Sequence, residues 1–169
     1  LDIDRFKSFN DTYGYARGDR AITLLSRVLC DAVRALGVAD AFVGHVGGDD
    51  FIVIAPSARA EELACRIVRD FDAGVPVLHD AEDASRGFLE IRTRSGTAEC
   101  VPLITLTVAL IVDAHGRFAH PAALSDTLAE LKRFGKTMTG SVVVKERRSP
   151  ADPHELVTTV PARDEEQAH

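Results

Sequence analysis

Apolar residues recur at three- and four-residue steps in three stretches of the chain, which is the spacing of an amphipathic α-helix. The first predicted helix covers residues 17–36 and ends at Gly37, the second covers residues 58–71 after Pro56, and the third covers residues 121–134. Glycine is the usual residue just beyond a helix C-terminus. We therefore expect three helices, each with one buried face.

Short apolar stretches rich in β-branched residues lie between these helices and predict strands. They are residues 41–46, 51–55, 88–93, 101–112 and 141–145, with a turn at Ser95-Gly96. The first two are joined by Gly47-Gly48-Asp49-Asp50, which is a hairpin signal because glycine tolerates positive φ. Residues 72–85, with Gly74, Pro76 and an acidic cluster, break the pattern and are predicted to be a loop.

The order of these elements favours an α+β fold in which helices pack on a central, mostly antiparallel sheet. A length of 169 residues, 46% of them hydrophobic, fits one globular domain with a sizeable core. We predict that residues 1–148 form this domain and that residues 149–169, with three prolines and many charges, form a disordered tail. Leu1-Asp2-Ile3-Asp4 looks like the end of a strand, so we expect a truncated N-terminal strand and a longer parent protein.

The net charge of −6 is uneven along the chain. Five acids against Arg163 give residues 150–169 a charge of −4 and leave −2 for the rest. This near balance provides no basic face, so neither nucleic acid nor an anionic membrane is expected as a partner. The longest apolar run, residues 101–112, is too short to span a bilayer. Three widely spaced cysteines fit reduced thiols in the core of a cytoplasmic protein better than a disulfide framework.

Carboxylates stand at the ends of two predicted strands. Asp2 belongs to the opening strand and Asp49-Asp50 to the hairpin tip, and neighbouring strands of one sheet would bring them together. Such carboxylates are ligands that Mg²⁺ prefers, with waters and substrate phosphates completing its shell. Ions of this kind polarise phosphoryl oxygens and help to turn a sugar hydroxyl into a nucleophile. The alternative is that adjacent acids at a tip are only solvated surface.

Two motifs together resemble a known family. They are Asp2-Ile3-Asp4-Arg5-Phe6-Lys7-Ser8-Phe9-Asn10-Asp11, followed by Gly14 and Gly18-Asp19, and Gly47-Gly48-Asp49-Asp50-Phe51. At this spacing they resemble the GGDEF family of diguanylate cyclases, which join two GTP molecules into cyclic di-GMP, and the resemblance covers most of residues 1–146. It implies a palm-like sandwich, of the nucleotidyl cyclase or ferredoxin-like type, with Mg²⁺ or Mn²⁺ as cofactor. It also implies a homodimer with one GTP per subunit and a sensor or regulatory domain upstream.

The family's site residues are carried over where this sequence matches them. The implied metal ligands are the carboxylates of Asp2, Asp49 and Asp50 and the carbonyl of Ile3, and the implied catalytic residues are Asp49 and Asp50. The implied GTP-binding residues are Phe6, Lys7, Asn10, Asp19, Gly47, Gly48, Lys132 and Lys136. Asn10 and Asp19 would read guanine, and the two lysines, from a stretch similar to the family's A-K-x-x-G-R, would offset triphosphate charge. Taken singly, these residues could equally be caps, turns or helix-end charges.

Several positions depart from the family pattern. Asp50 replaces the usual glutamate and is one methylene shorter, so its carboxylate could fall roughly an ångström short of its target. Lys136 replaces arginine and loses the bidentate fork on phosphate. His45 stands where arginine is common. The inhibitory Arg-x-x-Asp site of many relatives is represented by Val38 and Ala41, which predicts no product inhibition through that site.

Two alternatives to a dimeric diguanylate cyclase stay open. One is a degenerate module that binds GTP or a partner protein and regulates a neighbouring domain without catalysis, which the substitutions Asp50 and Lys136 favour. The other is a CRISPR-associated palm cyclase, which also bears a GGDD hairpin and typically uses ATP. The Phe6-Lys7 and Asn10-Asp11 flank speaks against it, because Asn10 with Asp19 should select guanine. Catalysis by a diguanylate cyclase is the leading prediction.

Overall fold

The computed structural model describes residues 1–92, 97–112, 118, 120–147 and 156–159. The helices of these ranges are α1 (Phe6–Tyr13), α2 (Tyr15–Ala35), α3 (Ala60–Gly74), α4 (Ala81–Arg86) and α5 (Pro121–Gly135). The strands are β1 (Asp2–Asp4), β2 (Phe42–Gly47), β3 (Asp50–Ile54), β4 (Phe88–Arg92), β5 (Ala98–Pro102), β6 (Thr105–Leu110), β7 (Val142–Glu146) and β8 (Leu156–Thr159). Short 3₁₀ turns at Ser57–Arg59 and Val75–Leu78 flank α3.

The central sheet has the strand order β2-β3-β1-β6-β7-β8. β6 and β7 run parallel, and the other neighbouring pairs are antiparallel. β4 and β5 pair with each other in a separate two-stranded sheet. The predicted α+β fold, a mostly antiparallel sheet flanked by helices, is confirmed.

Successive residues of a strand point to opposite sides of the sheet. In β7 the residues on both sides are apolar, and helices pack over both faces to bury them. Val143 of β7 belongs to the main core, together with Ile67 of α3 and the buried face of α2. Its neighbours Val142 and Val144 face the other way and pack against Leu131 of α5. Burying an aliphatic side chain contributes about 1.5–3 kcal/mol. This packing holds α5 over the part of the sheet that contains β6 and β7.

The elements with regular apolar spacing are confirmed. The helices predicted at 17–36, 58–71 and 121–134 are α2, α3 and α5, and the strands predicted at 41–46, 51–55, 88–93 and 141–145 are β2, β3, β4 and β7. The predicted turn at Ser95-Gly96 lies outside the described residues.

Two predictions about the middle of the chain are wrong. Residues 101–112 are not one strand but the end of β5 and the whole of β6, because Pro102 has no N–H to continue a ladder. Residues 72–85 are not a loop but the end of α3, a 3₁₀ turn and α4. Val75 and Leu78 are 5% and 4% exposed, so burial in the core orders this segment despite its proline and acids.

The predicted disordered tail is corrected for four residues. Leu156–Thr159 form β8, which pairs antiparallel with β7, and their β-branched composition suits a strand. The rest of residues 149–169 lies outside the described residues.

The three cysteines form no disulfide with one another, and of the three only Cys65 packs against the main core. Cys30 and Cys100 are exposed and Cys65 is half-buried. Among the described residues, no helix combines the length and the apolar character needed to cross a membrane.

Candidate active site

The predicted carboxylates meet where β1 and β3 run side by side. β1 lies between β3 and β6, and Asp2 stands opposite Asp50 in the antiparallel register. Residues directly opposite each other have Cβ atoms about 4.5–5.5 Å apart. Asp2 is 5% exposed, so water screens its charge poorly. A buried acid and a partly exposed one are thus held together, and this arrangement needs cations.

Two lysines of α5 supply positive charge at this point. Lys132 Nζ lies 2.8 Å from Asp2 Oδ2 and also donates to Asp50 Oδ1, and Lys136 Nζ lies 2.5 Å from Asp2 Oδ1. The lysines are four residues apart and therefore share one face of the helix. Burial opposes ionisation of Asp2, but hydrogen bonds from Lys132 and Lys136 outweigh it and lower the pKa of Asp2. Burial likewise opposes the charge of Lys132, yet its bonds to Asp2 and Asp50 raise its pKa.

The hairpin tip that carries Asp49 is fixed by His45. The His45 ring stacks on Phe51 with the ring centroids 4.4 Å apart, and its Nε2 lies 2.8 Å from the Gly48 carbonyl oxygen. Gly48 has a φ of 58°, a left-handed conformation that favours glycine. The His45 imidazole thus joins the end of β2 to the turn and holds the backbone that precedes Asp49.

A cleft of about 360 Å³ opens beside this tip. Its lining residues are Ile3, Arg5, Phe6, Lys7, Asn10, Asp11, Tyr15, Asp49 and Lys136. α1 begins in the cleft at Phe6, and a helix N-terminus favours phosphate because its first N–H groups are unpaired and carry partial positive charge. With three cationic and two acidic side chains, the lining combines charges suited to both phosphate and a metal ion.

Asp49 lies in this cleft under the electrostatic influence of Asp2 and Asp50. Burial, followed by the negative charge of Asp2, raises the pKa of Asp49. Within the described residues no group of three or more His, Cys, Asp and Glu side chains forms a metal-binding cluster. Mg²⁺ needs fewer protein ligands, since one or two carboxylates with waters and substrate phosphates are its usual shell. Asp2, Asp49 and the Ile3 carbonyl are the predicted groups that could hold a divalent ion together with a bound phosphate.

The structure brings most of the predicted site residues together. Phe6, Lys7 and Asn10 line the same cleft as Ile3, Asp49 and Lys136, and Gly47 and Gly48 form the tip beside it. Lys132 reaches Asp2 and Asp50 from α5. Asp19 is the exception, because it is exposed on α2 and is not one of the residues that line the cleft.

Three cleft residues, Arg5, Asp11 and Tyr15, were not predicted as site residues. Arg5 joins β1 to α1 with φ 60°, the one positive φ at a non-glycine residue in the described part of the chain. A cation directly after the Asp-x-Asp motif and before a helix is the signal that could have identified it, because that position faces the helix N-terminus. Asp11 belongs to the same motif, directly after Asn10, whereas Tyr15 lies outside the two motifs.

Asp4, the second aspartate of the opening motif, has a structural part. Thr107 Oγ1 donates to Asp4 Oδ1 at 2.9 Å, and Thr105 Oγ1 donates to Asp4 Oδ2 at 2.9 Å. Burial raises the pKa of Asp4, and these hydrogen bonds offset only part of that effect. The network ties β1 to β6 next to Asp2 and Ile3 and thereby stabilises the strand that carries the predicted metal ligands.

The comparison with family models rests on the segment that builds this site. The model described as "Diguanylate cyclase, GGDEF domain" matches residues 1–91, more than half of the 169 residues. The chain belongs to the GGDEF family. The matched range contains the aspartates of β1 and the hairpin, α1 and Asp19, whereas Lys132 and Lys136 lie beyond it.

Curated relatives of this GGDEF chain are longer proteins. The probable diguanylate cyclase DgcC of Escherichia coli K12 is 42% identical over 69 residues, which cover 41% of this chain and 18% of DgcC. The diguanylate cyclase DgcZ of the same strain is 35% identical over 114 residues, which cover 65% of this chain and 35% of DgcZ. An uncharacterized signaling protein of Caulobacter vibrioides is 35% identical over 92 residues, which cover 52% of this chain and 11% of that protein.

Proposed function

We propose that this GGDEF chain is a diguanylate cyclase that condenses two GTP molecules into cyclic di-GMP and two pyrophosphates. The observation that carries the proposal is the meeting of Asp2, Asp49 and Asp50 beside a cleft that also holds cationic side chains and a helix N-terminus. The names of DgcC and DgcZ, both given as diguanylate cyclases, support the same activity.

GTP would bind in the cleft with its phosphates near Lys7, Lys136 and the start of α1. Gly47 and Gly48 would let the nucleotide approach the hairpin backbone, because neither has a side chain in the way. Asn10 in the cleft would contact the guanine together with Asp19, which is exposed on α2 outside the lining and follows the glycine that lies against Asn10. An amide and a carboxylate can pair with the donors on the edge of this base. Phe6 would supply apolar contact.

Asp2, Asp49 and the Ile3 carbonyl would hold Mg²⁺ or Mn²⁺, with Asp50 as the neighbouring acid. When bound, the ion polarises phosphoryl oxygens and favours the deprotonated form of a nearby hydroxyl. Lys132 and Lys136 would offset the negative charge that develops on the departing pyrophosphate. The existing contacts of both lysines with Asp2 support this role, because two cations already lie beside a predicted metal ligand.

The reaction needs two copies of the chain. The 3′ oxygen of each GTP attacks the α-phosphorus of the other, forming an O–P bond while the bond from that phosphorus to the pyrophosphate oxygen breaks. Asp50 would accept the hydroxyl proton, and the leaving pyrophosphate carries away the negative charge. One subunit supplies one GTP, so turnover depends on a dimer that brings two clefts face to face. Holding reactants in this way supplies a large part of the barrier reduction.

Further domains of the parent protein would control this dimerisation. The matched regions make up only 11–35% of three relatives, which supports a regulatory or sensor domain elsewhere in the same protein. Since GTP and reduced thiols belong to the cytoplasm, we place the activity there.

A second function is favoured by Asp50 itself. Its carboxylate is one methylene shorter than the glutamate of the family pattern, and it is already bonded to Lys132. If it cannot reach the hydroxyl, the chain is a GTP-binding module that regulates a neighbouring domain without catalysis.

The test is to fuse the chain to a dimerising coiled coil, incubate it with GTP and Mg²⁺, and separate the products by chromatography. The matched variants are Asp49→Asn, which removes a predicted catalytic charge, and Asp31→Asn, which removes an exposed charge on α2 at a residue that is not part of the predicted site. We expect cyclic di-GMP from the parent and from Asp31→Asn, and none from Asp49→Asn. GTP binding without product in the forced dimer would replace catalysis by the regulatory module, and turnover of ATP in preference to GTP would overturn both.

A further inference from the structure

Gly18 of α2 lies directly against the side chain of Asn10 on α1. A Cβ placed on Gly18 would stand 1.9 Å from Asn10 Oδ1 and 2.9 Å from Asn10 Cγ. Non-bonded heavy atoms of this kind prefer about 3.5–4.0 Å. Any residue other than glycine at position 18 is therefore incompatible with the present orientation of the Asn10 amide.

The backbone gives no reason for a glycine at this position. Gly18 lies within the first turns of α2 and does not share the positive φ of Gly14 or Gly48. In a helix interior glycine is less favourable than alanine, because it loses more conformational freedom on folding. The close approach of Asn10 is the structural feature that requires it.

The Asn10 Oδ1 atom that lies against Gly18 is buried and lacks a hydrogen-bond partner. Within the described residues Asn10 Oδ1 has no hydrogen-bond donor, although Asn10 is one of the residues that line the cleft. Leaving a buried acceptor unpaired is unfavourable, so such an atom in a native structure needs an explanation. A ligand with an N–H group that enters the cleft would satisfy it.

We propose that Gly18 is a positioning residue for base selection: because it has no side chain, it leaves room for the Asn10 amide in the orientation that accepts a hydrogen bond from the guanine base. The inference rests on the proposed function. Guanine presents two adjacent N–H donors on its Watson–Crick edge, whereas adenine presents one donor beside an acceptor. A site built around a hydrogen bond rejects a base that leaves its polar group unpaired. Gly18 also precedes Asp19, so one turn of α2 would serve both predicted guanine contacts.

An alanine at position 18 would clash only with the end of the Asn10 side chain, which can rotate away. The substitution can therefore change base selectivity without unfolding the protein. In Gly18→Ala the Asn10 amide must rotate, while the backbones of α1 and α2 keep their positions. We expect GTP binding to weaken about tenfold, as for loss of one hydrogen bond. ATP binding should change little, so the preference for GTP over ATP falls by the same factor.

The experiment measures equilibrium binding of radiolabelled GTP and ATP to the full chain by dialysis, and thermal unfolding of each variant. The variants are Gly18→Ala, Asn10→Ala, the double substitution and, as a matched control on the exposed side of α2, Cys30→Ala. Asn10→Ala should lose the preference for GTP, and adding Gly18→Ala should change it no further. In that background the alanine meets no amide and should raise the unfolding temperature.

The outcomes separate the two proposals. If the parent binds GTP and Gly18→Ala keeps the full preference for GTP, the inference on Gly18 is wrong while the proposed function stands. Additive losses in the double variant would also overturn it, because then the glycine does not act through Asn10. If the parent binds no GTP, both the proposed function and the inference fail.

Discussion

Gly135 of α5 packs against Thr107 of β6 so closely that a Cβ on the glycine would lie 2.5 Å from the threonine Cγ2. Val144 Cγ2 would be 3.1 Å away. Lys132 and Lys136 stand on either side of this contact in sequence, and both reach Asp2. The absence of a side chain at position 135 therefore lets α5 approach the sheet until Lys132 and Lys136 contact Asp2.

Gly135→Ala should move α5 away from the sheet. Extra atoms in a packed core cost about 1–3 kcal/mol, and a misplacement of about 1 Å at a reacting centre can cost about a hundredfold in rate. We expect the dimerised chain with this substitution to form cyclic di-GMP roughly ten to a hundred times more slowly in the chromatographic assay.

The matched control removes the clash from the other side. Thr107→Ser deletes the Cγ2 methyl group but keeps the Oγ1 that donates to Asp4. Gly135→Ala combined with Thr107→Ser should recover a large part of the rate that Gly135→Ala loses. Full activity in Gly135→Ala, or no recovery in the double variant, would mean that the close packing of α5 does not set the position of its lysines.

Asp50→Glu tests whether the shortened carboxylate limits the reaction. Asp50 lies opposite Asp2, and its side chain is 45% exposed, so a longer carboxylate can extend towards the cleft. If the present carboxylate stops about one ångström short, restoring the methylene should raise the rate of cyclic di-GMP formation by up to about a hundredfold. Asp50→Asn is the control and should lower the rate. An Asp50→Glu variant no faster than the parent would show that reach is not limiting.

The sequence predicts those elements whose pattern is repeated and local. Leu25 and Leu29 of α2 follow the helical spacing, and both are fully buried in the structure. α1 has only eight residues and no such repetition. It is held instead by Phe9, which is fully buried and packs against Tyr13 and His79. Because His79 is seventy residues away in sequence, no local pattern could predict this helix.

The candidate site likewise has features that local motifs predict and features that depend on long-range packing. The acids of β1 and the hairpin follow from two short motifs, and neighbouring strands explain their meeting. The contact between Lys132 and Asp50 joins residues 82 positions apart and depends on how deeply α5 packs. Gly18 and Gly135 act through atoms that they lack, and only the neighbouring Asn10 and Thr107 reveal that. Motifs thus predict which residues form the site, while long-range packing decides their geometry.

Asp4→Asn tests the burial of the second aspartate of the opening motif. Burial raises the pKa of Asp4 above its usual value of 3.8, so the folded state favours the protonated form. The stabilisation that Asp4 contributes to the folded state is complete below pH 3.8. It is lost as the pH rises through the higher pKa that Asp4 has in the folded state. Asparagine does not titrate, so the parent should gain unfolding free energy relative to Asp4→Asn as the pH falls from neutral towards 3.8.

Urea unfolding at a series of pH values measures this difference, and other titrating groups cancel because both proteins contain them. A difference between parent and Asp4→Asn that stays constant, or that grows with rising pH, would contradict the burial of an ionisable Asp4 at the β1–β6 pairing.

Cyclic di-GMP should not inhibit the chain through a site between α2 and β2. The residues that stand where many relatives have the arginine and aspartate of the inhibitory site are Val38, which is 6% exposed, and Ala41. Neither can form a charge-assisted hydrogen bond to phosphate or base. In initial-rate measurements, added cyclic di-GMP should therefore compete with GTP at the cleft and leave the maximal rate unchanged. A fall in the maximal rate, or protection of residues 37–41 from hydrogen exchange on addition of cyclic di-GMP, would contradict this, because either result requires a second binding site.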